Sequence, residues 1–381
     1  MTLFRSAIFV LASALLASLK PASAEEAASA AESAPTAQPT VEAAAPAADA
    51  APKPSVAEFV LAERPEALRG VKRVAITTFS VEYMTFLEAK VEGNWGNLIG
   101  NKPNDVSVKM VGHDPAGWQV VVDEFYDRLV ADLTAAGIEV VPQEELRAAK
   151  EYAAVAKAAT ELPKEVSGRA GKGTYYGARD LPVLIQDEVQ IFRQGFKFGG
   201  RPPEDLYMGV GTKIAAGFST AGVMNAERAL AKKLDAHVLK VRMTVLPTQV
   251  SQDHDFWVGG HVETKAAVSL VPFVNRYLFY TPGGKDARIS VKQDLVSTRA
   301  AGELVDTTSG LSKANQVAGV GLRVLGALSG LSTPGAIGKS KDYEFEVDNA
   351  AYPGVVAETL TTAHELFLAR LLEARDAAAE D

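Results

Sequence analysis

Val71-Lys72-Arg73-Val74-Ala75-Ile76-Thr77-Thr78-Phe79-Ser80-Val81-Glu82-Tyr83 is the stretch from which the rest of the fold is read. β-Branched and aromatic residues crowd together here and then alternate with polar ones, the pattern of a central strand opening a sheet. Residues 84–105, with Gly93, Gly96, Gly100 and Pro103, predict a loop or hairpin, and Val106–Val111 predicts a short strand. Between Trp118 and Ala136, Val121, Phe125, Leu129 and Leu133 recur four apart beside Val122, Tyr126 and Val130, which predicts an amphipathic helix stopped by Gly137. Ile138–Pro142 then predicts a strand and Glu144–Thr160 an Ala-rich helix. Strand, helix, strand and helix with a tight Gly connection is a βαβ-type start.

The pattern resumes after residue 224. Asn225–Leu234 predicts a helix, and Ala236–Leu246 a strand with apolar residues on alternate positions. Further strands are expected at His261–Leu270, Arg276–Tyr280, Ala287–Val296, across Val296–Val305 and at Tyr343–Val347. Pro353–Arg375 closes the chain as a helix with proline in its first turn. The expected fold is α/β (α+β): a mixed sheet with flanking helices, a βαβ start and a C-terminal helix. Residues 55–160 and 225–381 form the two parts of that domain, with 161–224 a glycine-rich insertion between them.

The N-terminus carries a different message. Arg5 precedes an apolar stretch from Ala7 to Leu19, and Ala22 and Ala24 stand where a signal peptidase needs small side chains. The stretch falls short of the roughly 20 residues that span a bilayer, and Pro21 follows it. Residues 1–24 therefore read as a signal peptide cleaved after Ala24, and the mature protein as periplasmic. Cleavage removes Arg5 and Lys20 and no acid, leaving 37 basic side chains against 47 acidic ones, a net charge of −10. Such a surface repels nucleic-acid phosphates and anionic headgroups. With no cysteine in the chain, disulfides, thiolate nucleophiles, zinc–thiolate sites and lipoprotein anchoring are all excluded. Residues 25–54 are mostly Ala, Glu, Pro, Ser and Thr with five prolines, too polar to fold, and read as a linker able to reach roughly 90 Å.

The Lys72–Phe79 opening strand, the amphipathic helix, the segment Ala136-Gly137-Ile138-Glu139-Val140-Val141-Pro142, the helix-to-strand step at Asp235, the meandering strands and the closing helix resemble the periplasmic domain of the curli secretion channel family. The resemblance is one of element order over about 200 residues. It departs from the family in lacking the lipid-bearing cysteine and in carrying the 161–224 insertion. It implies a domain that binds other envelope proteins or assembles into rings, without chemistry of its own.

Motifs for catalysis fail on inspection. Ser167–Thr174 has two residues between Gly168 and Gly171 and Gly173 where a phosphate loop needs a hydroxyl, so a flexible, partly basic loop is expected. Gly209-Val210-Gly211 has Ile214 at the third glycine position of a dinucleotide fingerprint, so a turn into a small-residue helix is expected. Asp253, His254, Asp255, His261 and Glu263 are the densest metal-capable cluster, but they equally suit a polar hairpin tip. His237 falls on a strand and His364 in the last helix, and no Gly-x-Ser-x-Gly elbow is present. No catalytic residue, cofactor or metal site is therefore assigned.

The expected role is that of a non-enzymatic envelope protein acting in assembly or secretion through contacts with other envelope proteins or copies of itself, and not with nucleic acid. Exposed aromatics and arginine dominate interfaces, which nominates Tyr175, Tyr176, Arg179, Phe192 and Phe196 as contacts, with a place in the core as their alternative. The apolar segment 316–331 reads as a packed helix, a subunit or peripheral membrane contact, or a lid. Two rivals stay open: a binding protein for a lipid or other apolar small molecule walled by 209–222 and 316–331, and a carboxylate-dependent hydrolase. N-terminal sequencing of protein recovered from producing cells is expected to begin at Glu25, and an intact Met1 or Thr2 would contradict the export reading.

Overall fold

The computed structural model describes residues 56–89, 106–168, 171–179, 181–184, 210–253, 261–272, 274–308 and 341–377. In chain order these form α1 (Val56–Phe59), β1 (Val60–Glu63), a 3-10 turn (Pro65–Leu68), β2 (Arg73–Ala89), β3 (Val106–Val111), α2 (Ala116–Ala135), β4 (Glu139–Val140), α3 (Gln143–Ala148), α4 (Tyr152–Lys157), β5 (Lys164–Gly168) and β6 (Gly171–Gly177). After them come α5 (Val210–Leu234), β7 (His237–Leu246), β8 (Gln249–Asp253), β9 (His261–Lys265), β10 (Ser269–Leu270), β11 (Arg276–Tyr280), β12 (Asp286–Val291), β13 (Leu295–Val296), β14 (Gly302–Asp306), β15 (Lys341–Val347) and α6 (Tyr352–Asp376).

Strand β2 is the hub of a 13-stranded mixed sheet whose main path runs β1-β12-β11-β7-β2-β3-β15-β14. Ser80–Tyr83 pair with β6 and β7 at once, and Phe86 and Leu87 with β6 and β3, so β2 is hydrogen-bonded along both edges. One edge holds β7 in parallel and then β3 antiparallel; the other holds β4 in parallel and then β6 antiparallel. A strand with neighbours on both sides satisfies its backbone without water, which is what a run of β-branched residues requires if it is buried. The β2–α2–β4 passage is the expected βαβ unit, with Arg73 opposite Glu139 and Val74 opposite Val140. Arg73 locks that entry: its guanidinium donates to Glu139 at 2.9 Å, to Glu145 at 2.7 Å and to the Leu234 carbonyl at 2.8 Å.

Alternation sends β2 and β7 side chains to two different layers. Val74, Ile76, Phe79, Val81 and Tyr83 of β2, with Leu239, Val241, Met243 and Val245 of β7, enter the larger core. Helices α2 and α6 pack on that face side by side, contributing Val122, Phe125, Leu129, Leu360, Ala363 and Phe367. Phe79 lies 5.3 Å from the Phe125 ring and meets Tyr126 edge-on at 5.4 Å. The opposite face carries a smaller cluster in which Ala75, Val238 and Tyr280 meet Leu146, Tyr152, Val155, Val223, Leu230 and Leu234 of α3, α4 and α5.

Three departures from the sequence reading have physical causes. The opening strand runs on to Ala89, because a register shift between Met84 and Phe86 carries the pairing past the point where alternation breaks. The helix expected over Glu144–Thr160 is two helices, separated by Ala149 in extended conformation (ψ 124°). Leu146, Ala149, Tyr152 and Val155 are three apart, and over that span a straight helix of about 3.6 residues per turn would put the first and last on opposite sides. The break at Ala149 lets all four be buried.

The third departure concerns the insertion. Its first part, with the loop expected around 167–174, is the β5–β6 hairpin of the main sheet. Glycine there serves close packing. Gly171 has φ +155°, and a Cβ on it would collide with the Phe86 carbonyl oxygen; a Cβ on Gly173 would sit 2.8 Å from Glu82 Oε1. Substituting Phe79→Ala is expected to cost about 3–5 kcal/mol in urea unfolding, against less than about 0.5 kcal/mol for exposed Val120→Ala. Equal losses at the two sites would contradict the core assignment.

Candidate functional site: a charged face on the sheet

The second face of the sheet does not continue the apolar pattern beyond its small cluster. Register places three rows of side chains on it, since directly paired residues project to the same side. Thr78, Lys240, Leu278 and Arg288 form one row. Ser80, Arg242, Arg276 and Ser290 form the next. Tyr175, Glu82 and Thr244 form the third. A second register shift, between Ile76 and Thr78, turns Thr77 toward this side as well, where its hydroxyl donates to Glu227 of α5 at 3.1 Å.

Four ionisable side chains of this layer are buried: Glu227 is 0% exposed, Arg242 2%, Glu82 3% and Lys240 8%. Lys240 Nζ donates to Glu227 Oε2 at 3.0 Å, tying β7 to the helix above it. Arg242 Nη2 stands 3.6 Å from Glu82 Oε2 and donates to the Tyr175 hydroxyl at 3.3 Å. The Thr244 hydroxyl donates to the same Glu82 oxygen at 3.2 Å, while its backbone N–H is fixed by Asn275 Oδ1 at 2.7 Å. Farther out, the Arg228 guanidinium of α5 lies 5.5 Å from the centre of the Tyr280 ring.

Stability does not account for this arrangement. Removing two charges from water costs several kcal/mol per ion, and apolar replacements of similar volume commonly leave a protein equally or more stable. The same strands show on their other side that this chain supplies Val, Leu, Met and Phe where packing alone is wanted. Two hydroxyls sharpen the point. Thr78 Oγ1 and Ser290 Oγ, at 2% and 0% residue exposure, have no hydrogen-bond partner among the described residues. Buried hydroxyls without partners call for an explanation; Thr248, Thr264 and Tyr352 carry others among the described residues, and Thr78 and Ser290 are the two on the rows of this face.

The expected contact residues separate on this frame. Tyr175 and Tyr176 are buried (1% and 6% exposed), so the interface expected at these two side chains is corrected to the alternative, a place in the core. Adjacent strand positions send Tyr175 to the charged face and Tyr176 to the aromatic core, where it stands edge-on to Tyr83 at 5.6 Å and Trp118 at 5.9 Å. Arg179 is exposed and pairs with Asp127 at 2.8 Å and Asp123 at 3.7 Å on α2. Phe192 and Phe196 lie outside the described residues, as do His254, Asp255 and the whole segment 316–331. Asp253 and His261 are opposite each other in the β8–β9 hairpin. Among the described residues no three His, Asp or Glu side chains gather as a metal site.

Glu82, Glu227, Lys240 and Arg242 were not singled out in the sequence, although a signal existed. Lys240, Arg242 and Thr244 alternate through an otherwise apolar strand, and in an isolated strand such alternation signifies a wet face. Only the layer packed over the sheet, with Glu227 of α5 meeting Lys240, makes that face an interior one. The Glu82–Arg242 pair is expected to behave as a coupled unit. Glu82→Leu or Arg242→Met alone should cost about 3–5 kcal/mol, and the double variant should return to within about 1 kcal/mol of wild type. A double variant as unstable as the summed singles would show that the two residues are not coupled and would contradict the paired reading.

Comparison with known proteins leaves the site to be read on its own chemistry: no family model matches the chain, and neither a curated protein nor a solved structure shows significant similarity to it.

Proposed function

We propose that this is an exported binding protein of the cell envelope, acting in assembly or secretion by contact with other envelope proteins, and that the charged layer carried by β2, β7, β11 and β12 beneath α5, buried in this structure, is its recognition element, reached when a partner parts the layer over it. The observation that carries the reading is the interior polar constellation itself: Glu82, Arg242, Lys240 and Glu227 held in fixed pairs, with the Thr78 and Ser290 hydroxyls beside them. Preorganised charged and polar groups in a site shielded from water recognise a polar partner with high discrimination, because a partner lacking the matching groups leaves them unpaired. The partner chemistry that fits is therefore polar, such as a peptide segment with charged or amide groups. This chemistry disfavours the lipid reading at this face. The signal-like first 24 residues, the acidic balance of the remainder and the resemblance in element order to the curli channel's periplasmic domain support the location and the class of role.

Thr78→Val with Ser290→Ala provides the test. Removing hydroxyls that have no partner should leave unfolding stability equal or higher. Native mass spectrometry of chemically crosslinked complexes from the periplasm of producing cells is expected to show a partner on the wild type and at least a tenfold loss on the variant, corresponding to about 1.4 kcal/mol. Equal capture by both proteins would refute the proposed recognition face.

A further inference from the structure

A second polar constellation lies on the other side of the sheet, inside the apolar layer. His364 of α6 is 0% exposed, and both of its ring nitrogens are occupied. Nε2 is 3.1 Å from Asp132 Oδ2 on α2, and Nδ1 is 2.8 Å from the Tyr277 hydroxyl on β11. A carboxylate accepts only, so Nε2 carries the proton; Nδ1 then offers its lone pair, and the Tyr277 O–H donates to it. Three elements are thus joined through one neutral imidazole.

Burial of this kind excludes a catalytic relay. Tyr277 is 1% exposed, and burial pushes its hydroxyl well above the usual tyrosine range, so it is no nucleophile. What remains is proton-dependent packing. If His364 takes a second proton, both nitrogens become donors, and Nδ1–H then points at an oxygen that already carries a hydrogen. Among the described residues the Tyr277 hydroxyl has no other hydrogen-bond partner to turn to. The Tyr277 ring meets Phe367 edge-on at 4.8 Å, and Phe125 stands edge-on to the imidazole at 6.1 Å.

The charged groups around the ring do not reverse this. Asp132 favours the imidazolium, but Arg128 lies 3.4 Å from the same carboxylate and 3.1 Å from Glu365, and its positive charge opposes a second one on the ring. Burial is the largest influence and holds the imidazole below its ordinary value of 6.5, with Asp132 and then Glu365 pulling the other way.

We infer that Tyr277, His364 and Asp132 form a pH-sensitive clasp that holds α6 to α2 and β11 at neutral pH and loosens it as the surroundings acidify. A histidine with a depressed pKa in the closed state binds protons better once the clasp is open. The clasp is thus fully effective above pH 6.5 and weakens as pH falls below that value. The weakening stops below the closed-state pKa, where both states are protonated. His237, also depressed by burial and 3.3 Å from the Ala67 carbonyl, adds a separate contribution near the start of β7. A global melting curve therefore mixes the two histidines.

The test reads His364 directly. In the full chain with labelled histidines, the His364 ring resonance, assigned by its loss in His364→Gln, is expected to titrate below 6.5. Amide exchange in α6, corrected for intrinsic chemistry, should show the opening constant rising by up to about tenfold per pH unit through the window below 6.5. Tyr277→Phe removes the conflicting hydroxyl and should move the midpoint upward. A midpoint at or above 6.5 in the wild type, or α6 opening that ignores pH, overturns the clasp, whether or not the variants fold.

Discussion

The constraint from which the rest follows is that β2 must satisfy hydrogen bonds along both of its edges. A strand of seventeen residues pairs with β7 and β3 on one edge and with β4 and β6 on the other, and side-chain layers cover both of its faces, so its middle has no wet side. Whatever alternates along it is committed to one of two interiors. On one, Phe79, Val81 and Tyr83 find α2 and α6; on the other, Ser80 and Glu82 find Arg242, Tyr175 and the layer of α5. Double-sided pairing fixes the register, and the layer of α5 over the second face turns ordinary strand alternation into a buried charge system.

The two interiors handle polarity in opposite ways. In the apolar layer a single histidine is made harmless at neutral pH by having each nitrogen matched, and by Arg128 offsetting the carboxylate it meets. In the charged layer, acidic and basic side chains stand in fixed pairs, with two hydroxyls on the same rows that the described residues leave unmatched. A stability argument explains the first arrangement and not the second, and for that reason the proposed binding role rests on the charged face.

Much of the architecture was legible in the amino-acid sequence because local pattern and tertiary setting agree there. The βαβ start, the α2 stripe of Val121, Phe125, Leu129 and Leu133, the β7 and β11 runs and the closing helix all fall within a few residues of expectation. Where they disagree, the reason is long-range. Leu146 and Val155 force a break that an Ala-rich segment does not announce. Gly171 and Gly173 resemble loop glycines and are needed where β6 presses on Phe86 and Glu82. Tyr175 and Tyr176 resemble a sticky surface and divide between two interiors. The charged face was the least legible feature, because Glu82, Arg242 and Glu227 come from three elements and only sheet register brings them together.

The most direct check is a high-resolution crystal structure of the protein isolated from the envelope of its own producing cells, with the region around Thr78 and Ser290 refined without bias. The account predicts a polar atom from a bound partner within about 3 Å of Thr78 Oγ1 or Ser290 Oγ. Both hydroxyls matched instead by this chain's own groups or by water, with no foreign atom on the face, would contradict it.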